Sequence, residues 1–266
     1  MRVIKNNIAI YQEGDSSKRT ILFVHGFPYD HSMWDDQVSS LSLFYNCVTY
    51  DVRGLGESPA GDGQFTMESF TDDVEYIIDN LRLNKPVLCG LSMGGYISLR
   101  AVERFEHKLG GLILCDTKSQ ADDNEGKFKR AASIAKINKE GLESFVNDFV
   151  PNCFAPQSVE ALGISYNEIL ERSASYDPAG VKGCILAMLG RNDTTGYLHK
   201  IKIPTLVLCG EYDRLTPTDS MKFLADKIKG SRFVIIPNAG HMTPVENPDA
   251  VTGAIKKFMS DNFADK

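Results

Sequence analysis

The segment Gly90-Leu91-Ser92-Met93-Gly94 limits what this chain can fold into more than any other. It follows an apolar run, Pro86-Val87-Leu88-Cys89, and leads into Tyr96-Ile97-Ser98-Leu99-Arg100-Ala101-Val102, a stretch suited to a helix. A strand that turns directly into a helix needs small residues on both sides of the turn. Glycine meets that need because it has no Cβ to clash. Ser92 then stands clear of the backbone, its hydroxyl open to a base on one side and a ligand on the other. G-x-S-x-G between strand and helix is the pattern of a nucleophile elbow.

The rest of the chain alternates short apolar or β-branched runs with helical stretches, which predicts a largely parallel sheet covered by helices. Val3-Ile4 and Ile8 to Tyr11 read as a hairpin turning at Asn6-Asn7. Further strands are expected at Thr20–Val24, Asn46–Tyr50, Val87–Cys89, Leu112–Cys115, Leu206–Cys209 and Phe233–Ile236. Thr66 to Leu81 reads as a helix, with Thr66 and Ser69 as caps and Phe70, Val74, Ile77, Ile78 and Leu81 along one side. A helix from Pro248 to Met259 closes the pattern. From Lys118 to Lys200 the alternation stops. Helical pieces such as Gly126–Ile137 and Leu142–Val150 occur there with Pro151, Pro156 and Pro178, and no strand is evident. This stretch reads as a helical insertion over the strand ends. Asp122-Asp123-Asn124-Glu125 reads as a solvated helix start.

At 266 residues, 42% of them hydrophobic, the chain suits one α/β domain with an insertion. A net charge of −6 gives no reason to expect nucleic acid or an anionic membrane as partner. No apolar stretch approaches the about 18 residues of a membrane-spanning helix. The N-terminal residues lack the apolar core of a signal peptide, so a cytoplasmic location is the default expectation. The six cysteines contain no C-x-x-C pair and read as small buried hydrophobes.

A serine hydroxyl needs a base, and the base needs a carboxylate to hold its tautomer and orientation. For this elbow the expected order is serine, acid, histidine. Of His25, His31, His107, His199 and His241, only His241 follows a late strand, in Asn238-Ala239-Gly240-His241-Met242. Asp213 and Asp116 both follow a strand and lie between Ser92 and His241. Asp213 is preferred because its strand neighbours the one bearing His241; Glu211 and Asp219 are weaker options. Stabilising an oxyanion takes preorganised donors. The backbone N–H of Met93, at the positive end of its helix, and that of Phe27, in the loop His25-Gly26-Phe27-Pro28, are the candidates. His25 reads as a prop for that loop. Asp51 to Ser58 matches neither glycine-rich phosphate motif and reads as a tight loop. Gly26, Trp34, Met188, Leu215 and Met242 are candidate pocket residues, with Phe145–Phe154 and Ile185–Leu189 as a roof. Arg191 is open to an acidic ligand or to a surface pair with Asp193.

With His25-Gly26-Phe27-Pro28, Asp51-Val52-Arg53-Gly54-Leu55-Gly56-Glu57-Ser58, Gly90 to Gly95, Gly210-Glu211-Tyr212-Asp213 and Gly240-His241 in this order, the chain resembles the α/β-hydrolase fold family over nearly its whole length. The resemblance implies an eight-stranded, mostly parallel sheet. It divides the chain into a core of residues 1–117 and 201–266 and a cap of 118–200. Within the family the chain is most similar to carboxylesterases and 3-oxoadipate enol-lactonases. Leu114-Cys115-Asp116-Thr117 resembles their cap entry, and Arg191-Asn192-Asp193-Thr194 their cap exit. Cofactor-free haloperoxidases, which act as perhydrolases, are near neighbours. Dehalogenases and epoxide hydrolases are disfavoured because they need aspartate where Ser92 stands. The resemblance implies hydrolysis of small to medium carboxylic esters, with lactone hydrolysis or perhydrolysis by the same residues as alternatives. It implies no metal or organic cofactor and a small-molecule ester or lactone as the partner, and leaves oligomeric state open. A receptor or signalling role without turnover is the alternative of another class.

Overall fold

The computed structural model describes residues 2–263. Eight strands form one sheet: β1 (Arg2–Lys5), β2 (Ile8–Glu13), β3 (Thr20–Val24), β4 (Asn46–Tyr50), β5 (Val87–Leu91), β6 (Gly111–Cys115), β7 (Thr205–Gly210) and β8 (Arg232–Ile236). Their order is β1-β2-β4-β3-β5-β6-β7-β8. β2 runs antiparallel to both β1 and β4, and every other pairing is parallel. The opening hairpin turns at Asn6 and Asn7, whose φ values of 51° and 60° suit the primed turn that matches strand twist. β3 to β7 are buried along their whole length, as expected of strands covered on both faces.

The helices are α1 (Asp35–Leu41), α2 (Met67–Asn80), α3 (Met93–Phe105), α4 (Asn124–Glu140), α5 (Leu142–Phe149), α6 (Pro156–Leu162), α7 (Ile164–Ala174), α8 (Pro178–Leu189), α9 (Thr218–Lys227), α10 (Thr243–Glu246) and α11 (Pro248–Phe263). α2 starts with the expected cap: Thr66 Oγ1 accepts from the Ser69 N–H at 3.1 Å, and Ser69 Oγ accepts from the Thr66 N–H at 3.1 Å. Its apolar side carries Phe70, Val74, Ile77 and Ile78 into the core. α4 to α8 all fall between β6 and β7, with no strand among the described residues of that stretch. No helix among the described residues is long and apolar enough to cross a membrane.

The chain winds from β3 to β4 in one direction across the sheet, then passes over β3 to reach β5 and winds the other way. With right-handed crossovers, α1 and α3 fall on opposite faces. A crevice therefore opens at the carboxyl ends of β3 and β5, where α/β sheets bind ligands. The loop bearing Phe27 follows β3, and Ser92 follows β5.

Candidate active site

Ser92 is the one residue between β5 and α3, and it sits at φ 53°, ψ −111°. A non-glycine residue held there carries strain of about 1–3 kcal/mol that its surroundings must offset. They do so through both backbone groups. The Ser92 N–H donates to the Cys115 carbonyl at 3.0 Å, and its carbonyl accepts from Tyr96 N at 3.1 Å and Thr117 Oγ1 at 2.8 Å. The flanking glycines are required by close approach. A Cβ on Gly94 would lie 2.2 Å from the Val24 carbonyl oxygen, and one on Gly90 would lie 2.3 Å from the Gly94 carbonyl oxygen.

Asp213 and His241 occupy adjacent loops, after β7 and β8 respectively. The two loops are joined by Tyr212 N–H to Ala239 O at 2.8 Å and Glu211 N–H to Ile236 O at 3.0 Å. His241 Nδ1 lies 2.9 Å from Asp213 Oδ2, and both residues are buried. Asp213 Oδ1 accepts from the N–H groups of Leu215 at 2.8 Å and Thr216 at 3.0 Å, while the Thr216 hydroxyl donates to Oδ2. Burial pulls the Asp213 carboxyl upward, but the His241 ring and the Thr216 donors outweigh it and hold it at about 2. An ionised carboxylate accepts hydrogen bonds only, so Nδ1 carries the proton and Nε2 is left as the basic nitrogen.

Asp116 is also buried, but it makes no hydrogen bond to His241 among the described residues. Its Oδ1 accepts from the Gly210 N–H at 2.8 Å and its Oδ2 from the Thr243 hydroxyl. Burial, with the nearby Asp213 charge, pushes its carboxyl well above the usual range, which favours the neutral acid. Asp116, Cys209 and Asp213 lie close enough to suggest a metal cluster. Their carboxylate oxygens are already engaged by the donors just named.

Ser92 and His241 line one open cavity of about 510 Å³ with Phe27, Tyr96, Phe149, Met188, Leu215 and Thr216. The Phe27 ring packs against Phe149 at 5.7 Å and Phe145 at 6.1 Å, both from α5. The expected roof thus contributes α5 and, through Met188, α8. Met93 is the first residue of α3, where N–H groups have no partner in the preceding turn. Phe27 lies in the loop after β3, which His25 holds. The fully buried His25 has Nδ1 2.8 Å from the Gly26 carbonyl, and its Nε2 accepts from the Val52 N–H at 2.8 Å. Gly26 serves this loop through its backbone, its carbonyl also accepting from Tyr29 N at 3.1 Å.

Four expectations change. Trp34 is 0% exposed and packs 5.1 Å from Phe23 in the core, away from the cavity. Met242 turns to a separate cavity of about 200 Å³ shared with Tyr29 and Tyr176. Arg191 does not line the cavity that holds Ser92 and is no surface partner of Asp193. It is buried over the Tyr96 ring at 4.2 Å, with its guanidinium bonded to Asp122 at 2.8 Å. Asp122 accordingly is no solvated residue: it also pairs with Arg130 at 3.0 Å and Lys118 at 3.3 Å. Asp123, Asn124 and Glu125 are the exposed helix start that was expected, with Asp123 accepting from Gly126 N–H at 2.8 Å. Sequence reasoning missed Tyr96, Thr216 and Glu246. Thr216 carries a local signal, since an aspartate commonly accepts from backbone N–H groups two and three residues on.

The family model for the alpha/beta hydrolase fold matches residues 19–248. Among solved structures, a thermophilic esterase from Thermogutta terrifontis superposes with a TM-score of 0.93 at 32% identity, covering 99% of each chain. The enol-lactonase from Burkholderia xenovorans LB400 superposes with a TM-score of 0.89 at 26% identity, covering 98% of this chain and 100% of that one. The 3-oxoadipate enol-lactonase 2 of Acinetobacter baylyi is 25% identical, over 92% of this chain and 90% of its own. With the model spanning most of its length, the chain belongs to the α/β-hydrolase fold family.

Proposed function

We propose that this protein is a serine hydrolase of carboxylic esters, with Ser92 as nucleophile, His241 as base and Asp213 as the acid. The observation that carries the reading is the His241–Asp213 contact of 2.9 Å beside a cavity that also holds the strained Ser92. With Nδ1 committed to Asp213, Nε2 of His241 takes the Ser92 proton as Oγ attacks the carbonyl carbon. The oxyanion is met by the N–H groups of Phe27 and Met93. His241 then returns the proton to the leaving alcohol. Water attacks the acyl-enzyme by the same route, and Asp213 stays ionised throughout. Residues 118–200 act as a cap over a core made of 1–117 and 201–266.

The apolar surfaces of Phe27, Phe149, Met188 and Leu215 suit a small to medium acyl group. A lactone is the second reading, favoured by the likeness to two enol-lactonases. It needs the same residues, and a panel of p-nitrophenyl esters and lactones separates the two by kcat/KM. The test of the shared chemistry is Ser92→Ala, which abolishes turnover of a short-chain p-nitrophenyl ester and leaves the fold intact. Undiminished turnover in that variant removes the proposal.

A further inference from the structure

We infer that Glu246 is a positioning residue for His241 and fastens its loop to the helical segment between β6 and β7. The inference rests on the reading of His241 as the base. Glu246 Oε1 accepts from the N–H groups of Gly240 at 2.9 Å and Met242 at 3.0 Å, the residues on either side of His241. Its other oxygen accepts from the Ala155 N–H at 2.8 Å. His241 crosses the same seam with its own N–H, which donates to the Cys153 carbonyl at 2.9 Å. The two strands of chain touch closely: a Cβ on Gly240 would lie 2.5 Å from Ala155 N and 2.9 Å from the Phe154 carbonyl carbon.

Asp213 sets the direction of the His241 ring but does not set where its Cα lies. That position comes from the backbone on either side, and both flanking N–H groups end on one carboxylate oxygen. Bonds to a charged acceptor are about twice as strong as neutral ones, so this clamp dominates a short loop. Through Ala155 and Cys153 the same clamp makes the location of the base depend on where α5 and α6 sit. The residue that fixes the base therefore also registers the roof of the cavity against it.

The side-chain chemistry separates the two tasks. Glutamine keeps one acceptor oxygen for Gly240 and Met242 but would turn an amide donor toward the Ala155 N–H. Aspartate keeps the charge and is one methylene too short to reach both sides. In the full chain, Glu246→Ala and Glu246→Asp are expected to lower kcat for p-nitrophenyl butyrate roughly ten- to a hundredfold, since a misplacement of about 1 Å costs that much. KM stays within about threefold, because the loss falls on the chemical step. Glu246→Gln recovers kcat to within about fivefold of the parent, as it retains the flanking bonds. The downfield proton NMR signal of His241 Nδ1 is sharp in the parent and in Glu246→Gln, and broadened in the other two variants. A parent-like kcat in Glu246→Asp, or an unbroadened Nδ1 signal in it, overturns the inference, and this holds even if Glu246→Ala does not fold. The signal requires no turnover. If the parent shows no Ser92-dependent activity, the hydrolase reading fails while the NMR result still decides the clamp.

Discussion

The His241 ring presents Nδ1 to Asp213 Oδ2 at 2.9 Å, while Asp116 spends its carboxyl on Gly210 and Thr243. Both aspartates follow the serine and precede the histidine, yet only one can hold the imidazole. Asp213→Asn is expected to reduce kcat by about a thousandfold or more, because the amide stabilises the wrong tautomer. Asp116→Asn is expected to keep kcat within about tenfold, because Asp116 makes no hydrogen bond to His241 among the described residues and asparagine keeps its shape. Steady-state kinetics on the pair checks this, and a larger loss at Asp116 reverses the assignment.

The same two residues predict opposite pH effects on stability. Asp213 has a folded value depressed from 3.8 to about 2, so its stabilisation is present above 3.8 and lost as pH falls toward 2. Asp116 is raised well above 3.8, so its contribution is full below 3.8 and lost as pH rises toward the folded value. Asparagine at 116 removes that loss. Thermal melts of Asp116→Asn minus parent are expected to become more positive between pH 4 and pH 8. A difference that is flat or falls with pH contradicts a raised Asp116 carboxyl.

Asp122, which lines the cavity, and Arg191 make a buried pair. Burial would raise the Asp122 carboxyl, but Arg191 and Arg130 outweigh it and hold it well below the usual range. Asp122→Asn leaves the buried Arg191 charge with neutral acceptors only, the Met188 and Gln120 carbonyls among them, at a cost of about 3–5 kcal/mol. Urea titration measures this. Because the folded value is depressed, the pair's contribution is present above 3.8 and lost as pH falls, so parent and variant converge in acid.

The elbow offers a prediction about backbone packing. A Cβ at Gly94 would meet the Val24 carbonyl oxygen, which a strand cannot move aside. Gly94→Ala is expected to cost about 1–3 kcal/mol or more and to lower activity by displacing Ser92. A variant with parent-like melting would mean that the elbow has room the geometry denies.

Much of the fold was legible because its signals are local. Asn6-Asn7, the Thr66–Ser69 cap and the glycines around Ser92 each declare a backbone geometry within a few residues. Strand order also anticipates that His241 meets Asp213 rather than Asp116, and Ser92 shares a cavity with His241. What escaped was direction and long-range pairing. His241 and Met242 are neighbours in the chain, but their side chains enter different cavities. Trp34 resembles a pocket aromatic in sequence, while the turn bearing it points inward to Phe23. Arg191 finds its partner 69 residues away at Asp122, which no local pattern announces. Glu246 reads as an ordinary polar residue near a helix end until Gly240, Met242 and Ala155 are seen to converge on it.

The most direct measurement is intact-mass analysis after treatment with a fluorophosphonate, with peptide mapping of the adduct. A single adduct on Ser92 is expected in the parent, none in Ser92→Ala, and labelling slowed by about a hundredfold or more in His241→Ala, which lacks the proposed base. An adduct that persists in Ser92→Ala, or labelling at the parent rate without His241, would contradict the proposed nucleophile and base.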